Sequence, residues 1–230
     1  MNTPSNFRES KPRAKVLLLL ASIAFLPVLC LAQSGVDSWG TELRFSKDGS
    51  LVITEEIKIS VQPGEVVRGV SHKLPTHAGV FYQKTAHLNY TPLVGFIDST
   101  SGKPVISNSG DEAKIQLRDT QALALGSHTF ILQYKVEGSI LKEAAMDSFA
   151  WPIVRPWKGG VRSYSVKIVP PEFMEPKSLV IRLMSQSGEK ITSVVPSVTI
   201  GESDIVFNGK VDSGRLPLVV GIGFPRGFFP

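Results

Sequence analysis

The sequence predicts an all-β fold, an antiparallel β-sandwich of the immunoglobulin-like kind with about ten strands, and three observations predict it. Beyond residue 40 the apolar residues recur mostly with period two or in short runs, the spacing that lines one face of a strand. The breaks between those runs are rich in Gly, Pro, Ser and Asp, the residues that tight turns require. No stretch sustains an amphipathic helical period over three turns, the best case being the short Ile140 to Met146, so there is no βαβ alternation. A partly closed β-barrel is the alternative.

Leu51 to Val61 (LVITEEIKISV) buries Leu51, Ile53, Ile57, Ile59 and Val61 on one side and turns Lys58 and Ser60 to water. Lys47-Asp48-Gly49-Ser50 supplies a turn before it, so Thr41 to Ser46 and Leu51 to Val61 read as a hairpin. The same logic predicts strands over Val80 to Tyr90, Leu93 to Ile97, Ala113 to Leu117, His128 to Val136 and Val161 to Val169. Later ones are Ser178 to Met184, Ile191 to Val195, Asp204 to Phe207 and Leu216 to Phe224. Turn signals separate nearly all of them: Ser101-Gly102-Lys103-Pro104, Ser109-Gly110-Asp111, Leu125-Gly126-Ser127, Pro170-Pro171, Ser187-Gly188 and Asn208-Gly209. Pro170 to Pro176 is the only plausible waist between two lobes.

The first 32 residues differ from all that follows. Arg8, Lys11, Arg13 and Lys15 precede a continuous apolar run from Val16 to Leu31, broken by Pro27, with small residues before the boundary. That is the three-part pattern of a secretory signal peptide, with cleavage expected between Ala32 and Gln33 and an exported domain over residues 33–230. The run is also near the roughly 17 residues that can just span a bilayer, so an uncleaved anchor over residues 16–32 is the alternative. Lipid attachment at Cys30 is disfavoured by the bulk of Leu29 before it.

Cys30 is the only cysteine, so the mature chain would carry neither disulfide nor thiolate ligand. Of 25 basic and 20 acidic side chains, four and one respectively fall in the leader, leaving 21 against 19. So even a balance, without a basic cluster, leaves no electrostatic footprint for nucleic acid and no polybasic membrane patch.

No catalytic, cofactor or metal constellation emerges. His72 and His77 are five apart with no acid between them, and His87 and His128 lie elsewhere, so surface or edge-strand histidines are expected rather than a metal site. Ser71 and His72 are adjacent and so point to opposite faces of a strand, which forbids a relay; Glu55 and Glu56 fail as an acid/base pair for the same reason and are expected as solvated or edge-paired carboxylates. Gly221-Ile222-Gly223 and Gly227 lack the helix a phosphate loop needs, because Pro225 intervenes; backbone crowding at a strand end explains these glycines. Trp151 and Trp157, set among Pro152 and Pro156, are the interaction candidates: either an exposed aromatic platform or core plugs. Trp151 shares an alternating face with Phe149, which favours the core, while Trp157 sits beside a turn.

Asp48-Gly49-Ser50-Leu51, Ile53-Thr54-Glu55, Ile57, then Arg68-Gly69-Val70 leading to Leu74-Pro75-Thr76, resemble the start of a domain of unknown function in predicted bacterial membrane proteins of the YciQ type. Gly126-Ser127-His128-Thr129-Phe130 with Tyr134, Asp147 through Trp151 and on to Trp157, and Val166 to Pro170 resemble its later motifs in order. The resemblance covers nearly all of residues 36–227. His72, Ser148 and Pro152 depart from its usual arginine, acid and asparagine. It implies an N-terminal extracytoplasmic region with no established activity to carry over. The expected role is therefore an exported binding or structural module at the cell envelope, its partner an envelope protein or glycan. The rival classes are an envelope hydrolase assembled from distant residues, such as Glu55 or Asp147 with a histidine, and a truncated remnant of a membrane protein.

Overall fold

The two longest early strands are β1 (Gly35–Phe45) and β2 (Leu51–Val61); every second residue of β2 is buried, whereas β1 alternates only from Trp39 onward, after a register shift between Val36 and Ser38. The turn between them closes as its sequence requires. Asp48 Oδ1 accepts from the Ser50 N–H (2.9 Å) and hydroxyl (2.7 Å), while Gly49 takes a φ of +81° that only glycine adopts freely. The computed structural model describes residues 35–77, 87–109, 112–185, 196–211 and 217–230, all within one compact unit, Gln33–Pro230.

The strands that follow are β3 (Gly69–Leu74), β4 (Asn89–Ile97), β5 (Thr100–Gly102), β6 (Val105–Ser109), β7 (Glu112–Arg118), β8 (Gly126–Glu137), β9 (Leu141–Lys142) and β10 (Met146–Val154). After them come β11 (Val161–Val169), β12 (Val180–Ser185), β13 (Ser197–Ile200), β14 (Ile205–Lys210) and β15 (Leu218–Pro225), with one 3₁₀ turn at Pro176–Ser178. They form three sheets, none closed into a barrel. One has eight strands in the order β13-β14-β11-β1-β2-β8-β4-β5, one four in the order β12-β15-β10-β9, and one three in the order β3-β7-β6. The arrangement is sandwich-like, and residues of all three sheets share one hydrophobic core.

Several expectations need correction. The described residues hold fifteen strands rather than about ten, because short edge strands such as β5, β9 and β13 carry too few residues to show a period. β1 and β11 pair in parallel, from Val36↔Val161 to Arg44↔Val169, so the large sheet is mixed. Their crossover runs through the intervening sheets instead of a helix, which is why no βαβ signature announces it. As expected, Ile140 to Met146 forms no helix; it holds β9 and leads into β10, which proceeds through Pro152 because the ladder to β15 shifts register just after it. Asn208-Gly209 lies inside β14, where a Cβ on Gly209 would sit 2.6 Å from the Tyr164 ring; close approach, not a turn, requires this glycine. Pro170 to Pro176 lies within the single unit, with Pro170, Pro171, Met174 and Pro176 buried. The strand expected at Ile191 to Val195, and most of Val80 to Tyr90, fall outside the described residues.

Candidate functional site

In β2 the inward phase runs Leu51, Ile53, Glu55, Ile57, Ile59, Val61, so alternation places one carboxylate on the core face of the eight-stranded sheet. Glu55 is 0% exposed. Three elements converge on it. Tyr134, from β8 of the same sheet, donates its hydroxyl to Glu55 Oε1 at 2.9 Å. Arg155, just past β10, donates from Nη1 to the same oxygen at 2.8 Å, and its guanidinium lies 6.0 Å from the Trp39 ring centre, within cation–π range. His72, from the inward phase of β3, brings Nε2 to 2.9 Å from Glu55 Oε2, although its N–H direction misses that oxygen, so this is proximity without an aligned hydrogen bond. His72 and Arg155 are themselves buried. Glu55 therefore ties together all three sheets.

One expectation is overturned here: Glu55 is not a solvated or edge-paired carboxylate. His72 is an edge-strand histidine as expected, but a buried one. Both occupy the inward phase of their strands.

Burial alone would push the Glu55 carboxyl up, but a protonated His72 together with Arg155 more than offsets it and brings it to about 2. Burial pushes His72 down, Glu55 restores part of that, and Arg155 lowers it again. With His72 uncharged at neutral pH, Arg155 is the counter-charge that keeps Glu55 ionised. Burial, with the Glu55 charge added, raises the Tyr134 phenol well above its ordinary value. A carboxylate so held cannot serve as a general acid, and a base closed from solvent has no substrate to reach.

Acid should therefore destabilise the domain in two steps of the same sign. The unfolded chain protonates His72 near 6.5 while burial shifts that protonation to lower pH in the folded chain, so stability begins to fall as pH drops below 6.5. Glu55 contributes above its ordinary 4.5 and loses that contribution as pH falls toward about 2, a loss on the order of 3 kcal/mol. Urea melts between pH 7 and 2 check this, and the lower step should be missing in Glu55→Gln.

The other sequence candidates are placed as follows. Trp151 is 1% exposed and stacked on Phe149, ring centres 6.0 Å apart and 8° between planes; Trp157 is partly buried against the core. Asp147 is buried and accepts from the backbone N–H of Phe229 at 3.4 Å, not from a histidine. His77 and His87 meet across an isolated bridge with ring centres 4.5 Å apart, and His128 lies against Asp98. Among the described residues no three His, Cys, Asp or Glu side chains cluster as metal ligands. Gly221 and Gly223 lie within β15, where a Cβ would meet Met184 and Met146; the crowding is mid-strand rather than at its end. Cys30, Ala32 and Gln33 lie outside the described residues. Arg155 escaped the sequence reading because it follows Val154 where alternation has stopped, whereas Glu55 and His72 carried a phase signal.

Residues 37–212 match the family model described as "Predicted membrane protein (DUF2207) N-terminal domain". The chain belongs to this family. No curated protein matches this DUF2207 domain. Among solved structures it is similar to native leukotriene A4 hydrolase from Saccharomyces cerevisiae, at 8% identity and a TM-score of 0.51, over 83% of this chain and 29% of that one. It is also similar to an M1 zinc metallopeptidase from Deinococcus radiodurans, at 10% identity and a TM-score of 0.45, over 86% of this chain and 44% of that one. The DUF2207 domain thus spans less than half the length of either, and at 8% identity the likeness to the leukotriene A4 hydrolase is one of fold alone. Among its described residues no helix is long and apolar enough to cross a membrane.

Proposed function

We propose that this chain is an exported, extracytoplasmic DUF2207 domain of the YciQ-like kind that acts by binding, as an interaction module at the cell envelope. One observation carries the reading. The carboxylate that meets a histidine, the pair expected of a hydrolase in this chain, is 0% exposed, bonded by Arg155 and Tyr134 and faced by His72 where the three sheets meet. Its chemistry goes into holding the scaffold, which leaves the surface for function. Membership of a family described from predicted membrane proteins agrees with a place at the envelope. The basic residues, apolar run and Ala32 boundary of the first 32 residues supply the route out of the cytoplasm.

Purified protein should turn over no glycosidase, esterase or peptidase substrate in a broad screen. Turnover that Glu55→Gln or Asp147→Asn removes without changing the circular dichroism spectrum would establish the hydrolase instead. Mass spectrometry of the envelope fraction should find an N-terminus at or near Gln33. Recovery of the intact chain from the membrane, still starting at Met1, would show that residues 16–32 serve as an anchor.

A further inference from the structure

Beyond β11 the chain turns through Pro170, Pro171, Glu172, Phe173 and Met174. Both prolines and Met174 are buried, and the Met174 N–H donates to Pro171 O at 3.1 Å, so the turn is fastened on both sides of Phe173. Phe173 itself is 96% exposed and has a φ of +67°. An aromatic residue in the left-handed region is strained, and an exposed ring gains no burial to offset that. Glycine would make the same turn without strain. A fixed, strained and exposed aromatic points to contact outside the chain.

Beside Phe173 lies a groove of about 520 Å³ with an apolar floor that includes Phe45, Val169 and Met174. Its charges are unequal. Arg44 is held by Glu42 at 2.7 Å and Glu175 by Lys177 at 2.9 Å, whereas the exposed Glu172 and Glu202 have no salt-bridge partner among the described residues. Two uncompensated carboxylates flank an aromatic knob and an apolar trough. An anionic bilayer surface would be repelled by them, while a cationic polypeptide would be drawn in.

We propose that Phe173 and this groove are a docking surface for a basic segment of a partner protein. An apolar or aromatic side chain of that segment packs against Phe173, and Lys or Arg side chains on either side of it face Glu172 and Glu202. This rests on the reading of the domain as an interaction module and names its surface and the chemistry of its partner.

A random twelve-residue phage-displayed library panned on the purified protein should enrich peptides with Lys or Arg flanking an apolar residue. Their binding, followed by fluorescence anisotropy, should weaken with salt and at least tenfold in Phe173→Gly and in Glu172→Gln/Glu202→Gln. The melting temperature of Phe173→Gly should be unchanged or raised, because the strained φ is relieved, which a structural role for the ring would not allow. Failure to enrich such peptides, or equal binding by Phe173→Gly, overturns the proposal. So does Phe173-dependent sedimentation with phosphatidylcholine vesicles without peptide binding. Peptides that bind independently of Phe173 would overturn this surface and leave the interaction-module reading intact, whereas substrate turnover would overturn that reading.

Discussion

Arg155→Met should cost the domain about 3–5 kcal/mol, the largest loss expected from any single polar substitution in it. Methionine keeps much of the volume but removes the one permanent positive charge facing Glu55, whose remaining neighbours are the Tyr134 hydroxyl and a buried, uncharged imidazole. A carboxylate left so must stay ionised without a counter-charge or draw a proton into the junction, onto itself or onto His72, whose protonation Arg155 no longer opposes. Urea melts would show a lower midpoint with little change in slope. The double replacement Glu55→Leu/Arg155→Met should recover most of the loss, because an apolar pair carries no desolvation penalty. A loss below about 1 kcal/mol in the single variant would mean that water reaches the carboxylate, and the closed junction would have to be abandoned.

Trp151→Ala should cost about 3–5 kcal/mol, through lost transfer free energy and the cavity left behind. Its ring is 1% exposed, stacked on Phe149 and 6.4 Å from the centre of Tyr90, in a core already dense with aromatic rings. Trp157, only partly buried, should cost less than half as much when truncated. Iodide should quench Trp157 before Trp39 or Trp151, both of which are enclosed. Equal quenching of all three indoles, with both alanine variants melting like the parent, would show the core placement to be wrong.

The all-β architecture was legible because β2 alternates along its whole length and β1, β8 and β11 alternate from Trp39, Phe130 and Tyr164 onward, enough for period two to rise above chance. The junction was half legible. The run Leu51, Ile53, Ile57, Ile59, Val61 skips one inward position, and the residue that fills it is Glu55; likewise Val70 and Leu74 bracket His72 on the buried side of β3. A charged residue in an inward phase demands a partner, so the pattern implied that one existed. It could not say which, because Arg155 is one hundred positions away and lies past the end of its strand. Phe173 was illegible for another reason: side-chain exposure at a turn and the sign of a backbone dihedral leave no periodic trace.

The parallel pairing of β1 with β11 has a consequence for how the chain acquires its fold. β1 is an interior strand of the largest sheet, yet Val36 waits for Val161, 125 positions later, before its second edge is sealed. A chain emerging from its N-terminus can form the β1–β2 hairpin at once but must keep the other edge of β1 open until most of the sequence has followed. Such long-range closure is slow, and an open apolar edge recruits other chains while it lasts. Successful maturation of this domain is therefore a race between the arrival of β11 and the capture of β1 by a neighbour.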